Sequence, residues 1–256
     1  MSFDVREYLD TFCRLAEESG FTLEVLTQVE GYDIPALTKK AVGKPCVYVS
    51  SGIHGDEPAG VLAMRELMEA GVFDDRVEWR ICPVMNPTGL AIGTRENRGG
   101  VDLNRDYLKQ ETEEVRAHAA WLRRQPVPKM FVSLHEDWES TGFYLYEVQK
   151  RGCPSAARAI LDAVSVVIQR EPNQVIDNHE VREPGWIFHE PKADFPDQWP
   201  EAIFMAGLGT RVSYTLETPS SLLLEKRVAS HVLAVRTAVE EFLLTREEAE
   251  GCNDEA

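Results

Sequence analysis

The chain has 256 residues, 43% of them apolar, enough for one large core, and α/β chains of roughly this length commonly form a single domain. Lysine and arginine total 27 against 43 acidic residues, a formal charge of -16, which argues against nucleic acid or an anionic membrane surface as the partner. No apolar run approaches the ~20 residues that cross a bilayer, and the N-terminus lacks the basic segment and apolar core of a secretory signal, so a soluble, cytoplasmic protein is expected. The odd, scattered set Cys13, Cys46, Cys82, Cys153 and Cys252 has no C-x-x-C spacing and is expected to be reduced.

In chain order, Val5, Leu9, Phe12, Cys13, Leu15 and Ala16 recur at helical spacing and predict a helix over 4–19, stopped by Gly20. Two strands, 21–26 and 34–37, flank a turn at Gly31-Tyr32-Asp33. The run Cys46-Val47-Tyr48-Val49 is a buried strand, since β-branched and aromatic residues follow one another with no polar face. It leads through Gly52 and Gly55 to Pro58, a good first helical residue, and a helix over 58–70. A strand over 77–85 closes at Asn86-Pro87. Residues 88–110, rich in glycine and arginine, form a long loop, and loops of that length in compact domains are usually functional. A helix over 111–125, strands over 130–134 and 143–146, and a helix over 155–169 follow. The segment 171–200 carries five prolines and is expected to be an irregular flap. A last strand at 212–216 and a helix over 222–244 complete the list. The alternation predicts an α/β fold, a mainly parallel, mixed twisted sheet flanked by helices. Residues 1–245 form one domain in this reading, with 246–256 a disordered acidic tail.

Charged residues gather where strands end, which is where α/β sheets collect their sites. His54 and Glu57 follow the first buried strand, His135-Glu136-Asp137 follows Leu134, and Glu217 follows Leu216. His54, Glu57 and His135 amount to the two imidazoles and one carboxylate of a catalytic zinc site, with a fourth position open for water. By itself His54-x-x-Glu57 is a two-ligand pattern that a solvated turn also produces. Glu217 is placed to act as a general base and acid. In the long loop, Arg95, Asn104 and Arg105 are suited to binding a carboxylate, and Asp102 to steadying a ligating imidazole by its second nitrogen. Arg98 is expected to be a solvated surface charge.

The ordered set His54-x-x-Glu57, Arg95, Asp102-x-Asn104-Arg105, His135 and Glu217 resembles the carboxypeptidase A-like zinc metallopeptidases. It is most similar to their compact bacterial branch, which includes the murein peptide amidases and shares the pattern Gly-x-Arg-x-Asn-x-x-Gly-Val-Asp-Leu-Asn-Arg found at 93–105. The resemblance covers roughly residues 45–220. It implies one Zn2+ per chain on His54, Glu57 and His135, with Glu217 as general base and acid. It further implies that Arg95 steadies the oxyanion, Asn104 and Arg105 hold the substrate's terminal carboxylate, and Asp102 orients His54. The substrate would be a peptide or acylated amino acid with a free carboxylate, with neither nucleic acid nor membrane as a partner. The family's phenol that closes over substrate has no clear match: Tyr144, Tyr146 and Tyr214 fall in predicted strands, and Glu136 has no assigned role.

The succinylglutamate desuccinylases and aspartoacylases resemble the same pattern but remove an acyl group from a small amino acid. The motif order does not separate the two, although Arg95 and Gly-Val-Asp-Leu-Asn-Arg are the peptidase-like version. A silent metal- or peptide-binding protein on the same fold is a third reading, against which the complete residue set stands.

Overall fold

The computed structural model describes residues 3–150 and 153–251. Helix α1 (Val5–Glu18) starts where the Asp4 carboxylate accepts the Glu7 N–H, and it buries Val5, Tyr8, Leu9, Phe12 and Ala16. The hairpin β1 (Thr22–Val29) and β2 (Tyr32–Lys39) turns at Glu30-Gly31, both with positive φ, the backbone twist that suits a tight hairpin. Then come β3 (Cys46–Ser51), α2 (Pro58–Glu69), β4 (Glu78–Cys82), α3 (Pro87–Ile92) and, after a single 3-10 turn at Leu103–Arg105, α4 (Glu113–Arg124). The second half contains β5 (Met130–Asp137), β6 (Tyr144–Gln149), α5 (Ala157–Val164), the short β7 (Val175–Ile176) and β8 (His179–Glu180), and β9 (Trp186–His189). It ends with α6 (Glu201–Leu208), β10 (Val212–Pro219) and α7 (Leu224–Gly251).

Eight strands form one sheet in the order β1-β2-β4-β3-β5-β10-β6-β9. The central strands β4, β3, β5 and β10 are parallel, while β1, β2 and β6 run antiparallel to their neighbours toward the centre. This is the mixed α/β sheet expected from the alternation. Helices α1, α2, α5 and α7 pack on one face over a core that includes Phe12, Val49, Met64, Leu134 and Leu216. On the other face α4, α6 and the 3-10 turn cover Tyr48, Leu103, Tyr107, Trp121 and Phe131. Both faces being covered explains why β3 is buried along its whole length.

Several expectations change. The loop 88–110 contains most of α3, which Asn86 caps through Gly89 N–H and Gly93 ends in the left-handed region; six residues are too few to show a helical period. Strands β5 and β10 run on to Asp137 and Pro219, so His135 and Glu217 lie within strands instead of after them. The flap is partly regular: β7 and β8 pair with each other, and β9 joins the edge of the main sheet beside β6. Helix α6 was not expected. Helix α7 continues to Gly251, through part of the anticipated tail, and 252–256 lie outside the described residues. No described helix is long and apolar enough to cross a membrane. Among the described residues, Cys13, Cys46, Cys82 and Cys153 are free thiols.

Candidate active site

The turn after β3 is forced by two glycines. Gly52 has φ +63, and a Cβ there would meet Val61 at 2.8 Å; at Gly55 a Cβ would lie 2.0 Å from the Gly89 carbonyl carbon, so the turn packs directly on the α3 backbone. The turn delivers His54 and, at the start of α2, Glu57. His54 Nδ1 lies 2.6 Å from Glu57 Oε1, His135 Nδ1 lies 2.9 Å from Glu57 Oε2, and the two Nδ1 atoms are 3.3 Å apart. All three residues are buried, with donor atoms within 4.8 Å of one another. Asp102 Oδ1 lies 3.2 Å from His54 Nε2; a carboxylate accepts only, so it holds the proton on Nε2 and aims Nδ1 at the cluster. Two convergent imidazole nitrogens and a carboxylate, with one imidazole oriented from behind, fit a transition-metal ion.

Register supplies the rest. Parallel pairing sets Glu217 of β10 beside His135 of β5, and antiparallel pairing sets it beside Tyr144 of β6. One step back along the same face are Ser133, Thr215 and Tyr146, with Ser133 Oγ donating to Thr215 Oγ1 at 3.2 Å. These two rows form one wall of a cavity of about 650 Å³ that also includes Arg95, Asn104 and Arg105. The phenols of Tyr144 and Tyr146 donate to Asp137 and Asp177, each at 3.0 Å. Both tyrosines therefore face the cavity, although the sequence offered no clear phenol. The signal was the strict alternation of Phe143, Tyr144, Leu145 and Tyr146 across a sheet with two occupied faces.

Arg95 reaches in from the loop, its Nε 3.1 Å from Asp102 Oδ2 and its Nη1 3.5 Å from Glu57 Oε1. Arg105 donates to the Asn104 carbonyl at 2.9 Å. Arg98 pairs with Glu30 on the exposed surface, as expected. Glu136 points through the opposite side of β5, where its Oε1 accepts the Ala59 N–H at 2.7 Å and its Oε2 pairs with Arg227. It caps α2 from another element, which gives the acid left without a role in the sequence a structural one.

The charges are strongly biased. Burial opposes charge on His54, but Glu57 and Asp102 outweigh it and raise the ring to about 9. Burial also works against ionised Glu57 and Asp102; for Glu57 the two histidines, and for Asp102 His54 with Arg95 and Arg105, prevail and hold the carboxyls well below their usual range. His135 is lowered by burial. Glu217 is pushed well up by burial, then by the negative charges of Glu57 and Asp137.

Behind Asn104 lies a buried polar chain. Its Oδ1 accepts the Glu201 N–H at 2.9 Å, and the Glu201 carboxyl accepts from Tyr48 at 2.7 Å and Ser50 at 2.8 Å. His118 sits 2.8 Å from both the Tyr48 and Tyr107 hydroxyls. Since Tyr48 spends its proton on Glu201, His118 Nε2–H donates to Tyr48 and Tyr107 donates to Nδ1. Burial lowers His118 to about 3, keeping it neutral.

Comparison with known proteins is consistent with this geometry. Residues 44–137 match the succinylglutamate desuccinylase/aspartoacylase catalytic domain, a span that contains His54, Glu57, Arg95, Asp102, Asn104, Arg105 and His135 but not Glu217. Carboxypeptidase SOL1 of Arabidopsis thaliana is 30% identical over 101 residues, which is 31% of this chain and only 21% of that relative. A candidate metallopeptidase from Shewanella amazonensis superposes with a TM-score of 0.83 at 25% identity, covering 93% of each chain. The metallo-carboxypeptidase of Burkholderia cenocepacia shares the fold, with a TM-score of 0.66 at 19% identity over 90% of this chain and 67% of that one. Over residues 44–137 the chain is thus similar to the succinylglutamate desuccinylase/aspartoacylase catalytic domain, it spans about a fifth of the curated carboxypeptidase it matches, and over nearly its whole length it shares the fold of metallopeptidase structures.

Proposed function

We propose that this enzyme is a zinc-dependent hydrolase that cleaves an amide bond next to a free C-terminal carboxylate. The observation that carries the reading is the register that sets Glu217 beside His135, itself 2.9 Å from Glu57. His54, Glu57 and His135 hold the metal. A zinc ion bound there would supply Lewis acidity, for polarising a carbonyl and for making a water more acidic. Glu217 takes a proton from the attacking water and delivers it to the leaving amine, typically worth ~10²–10⁴-fold. Arg95 places positive charge where oxyanion charge develops, and Asp102 keeps His54 in one tautomer. Asn104 and Arg105 hold the terminal carboxylate, with Asn104 braced from behind by Glu201. A cytoplasmic setting agrees with the four free thiols.

The match of residues 44–137 to the desuccinylase/aspartoacylase domain favours a second reading, removal of an acyl group from a small amino acid. One assay series separates them: free-acid peptides, the same peptides amidated at the C-terminus, murein tripeptide and N-acyl amino acids. Truncating one member of a buried charge pair commonly costs ~2–5 kcal/mol, so amidation is expected to lower kcat/KM by about two orders of magnitude. Arg105→Ala should erase most of that preference without loss of metal. Equal cleavage of free and amidated peptides would rule out the carboxypeptidase reading, and turnover of N-acyl amino acids alone would establish the deacylase.

A further inference from the structure

The cavity wall carries a second group of nitrogen and oxygen donors, none of which the proposed chemistry uses. His179 lies on β8, His189 ends β9, and Asp194 follows five residues later. His189 Nε2 is 3.1 Å from Asp194 Oδ1 and His179 Nε2 is 3.4 Å from Oδ2. Donor atoms of the three residues lie within 4.8 Å of one another. The imidazoles meet edge to face with centroids 4.9 Å apart, and the Tyr146 ring of β6 packs edge-on against both.

The backbone decides which ring nitrogen of His189 carries a hydrogen. Its Nδ1 lies 2.6 Å from the Glu190 carbonyl oxygen, which accepts only, so this nitrogen bears the hydrogen. In the neutral ring Nε2 is then a bare lone pair aimed at a carboxylate oxygen 3.1 Å away. Two lone pairs at that distance repel unless positive charge lies between them. A carbonyl that fixes one ring nitrogen so that the other faces a carboxylate is the arrangement that surrounds metal-ligating histidines. Two imidazoles with one carboxylate suit a zinc-class ion, not the all-oxygen shells of magnesium or calcium.

We propose that His179, His189 and Asp194 form a second site for a divalent transition-metal ion of the zinc class. The ion ties the β7–β8 hairpin to β9 at the sheet edge. All three ligands are partly solvent-exposed, so it binds more weakly than the buried His54–Glu57–His135 centre and leaves positions open to water.

The test is zinc stoichiometry by equilibrium dialysis of the full chain against excess zinc, followed by elemental analysis. The native chain is expected to hold two zinc ions, His189→Ala one, and His135→Ala one; the last variant reports separately on the buried centre. If His189→Ala fails to fold, His189→Gln replaces it. As a structural readout, zinc added to His135→Ala should slow amide exchange across 175–189, and the His135→Ala/His189→Ala double variant should show no slowing. A native chain that saturates at one zinc lost in His135→Ala, or a folded His189 variant that still holds two, overturns the proposal.

Discussion

The two histidine clusters use the same donor types, yet they are supported differently. At His54, Glu57 and His135 the groups are buried and come from a glycine-constrained turn, a helix start and the register of a central strand. At His179, His189 and Asp194 they come from a two-residue strand, the last residue of an edge strand and the loop beyond, and all are partly exposed. Strand register positions a side chain through many simultaneous backbone hydrogen bonds, whereas a loop positions it through few. The comparison teaches that an identical donor set can be preorganised in one region and adaptable in another.

The largest effect should come from breaking the buried cluster. His135→Ala is expected to remove the tightly bound metal and all measurable hydrolysis; stoichiometric metal in a folded His135→Ala/His189→Ala double variant would sink the ligand set. Next, Glu217→Gln should keep metal and fold while turnover falls ~10²–10⁴-fold, measured on the best substrate of the panel. Smaller still, Asp102→Asn should weaken metal affinity by ~10–100-fold, the usual cost of losing a carboxylate behind a ligating imidazole. With His54 raised to about 9, zinc uptake near neutral pH must displace its proton. Affinity should therefore rise with pH up to about 9, and calorimetry in buffers of different ionisation enthalpy should detect about one proton released.

The mildest test leaves the chemistry intact. Burial lifts Glu201 to about 7, with Tyr48 and Ser50 pulling partly against it. Between its unfolded value of 4.5 and 7 the native chain holds a proton that the unfolded chain has lost. Glu201's contribution is therefore complete below 4.5 and fades as pH rises to 7, by ~3 kcal/mol. Urea unfolding of the native chain and Glu201→Gln across this window should show native stability declining relative to the variant's as pH rises. A slope unchanged in the variant would mean that the carboxyl is ionised in the folded chain throughout.

Much of the centre was legible in the sequence because apolar strands tolerate charge poorly. His54 and Glu57 stand out after Cys46–Val49, as do His135 after Leu134 and Glu217 after Leu216. That His135 and Glu217 are neighbours was not legible, since the pairing of β5 with β10 joins segments about eighty residues apart. Helix α6 was hidden because its buried Ile203, Phe204 and Met205 are consecutive and show no helical period. The second cluster was invisible for a related reason: proline-rich sequence gives no hint that Trp186–His189 adds to the sheet edge and carries His189 toward His179.

Glu136 gives the buried centre a ruler one residue long. Strand alternation points His135 into the cavity and Glu136 away from it, onto the Ala59 N–H two residues beyond Glu57. The separation of Glu57 and His135, seventy-eight positions apart in sequence, is thereby gauged by one peptide unit and one helix cap, with Arg227 of α7 bracing the gauge on its far side. Wear at this position would show up as miscalibration: a site with all its ligands present but set at the wrong span for its ion.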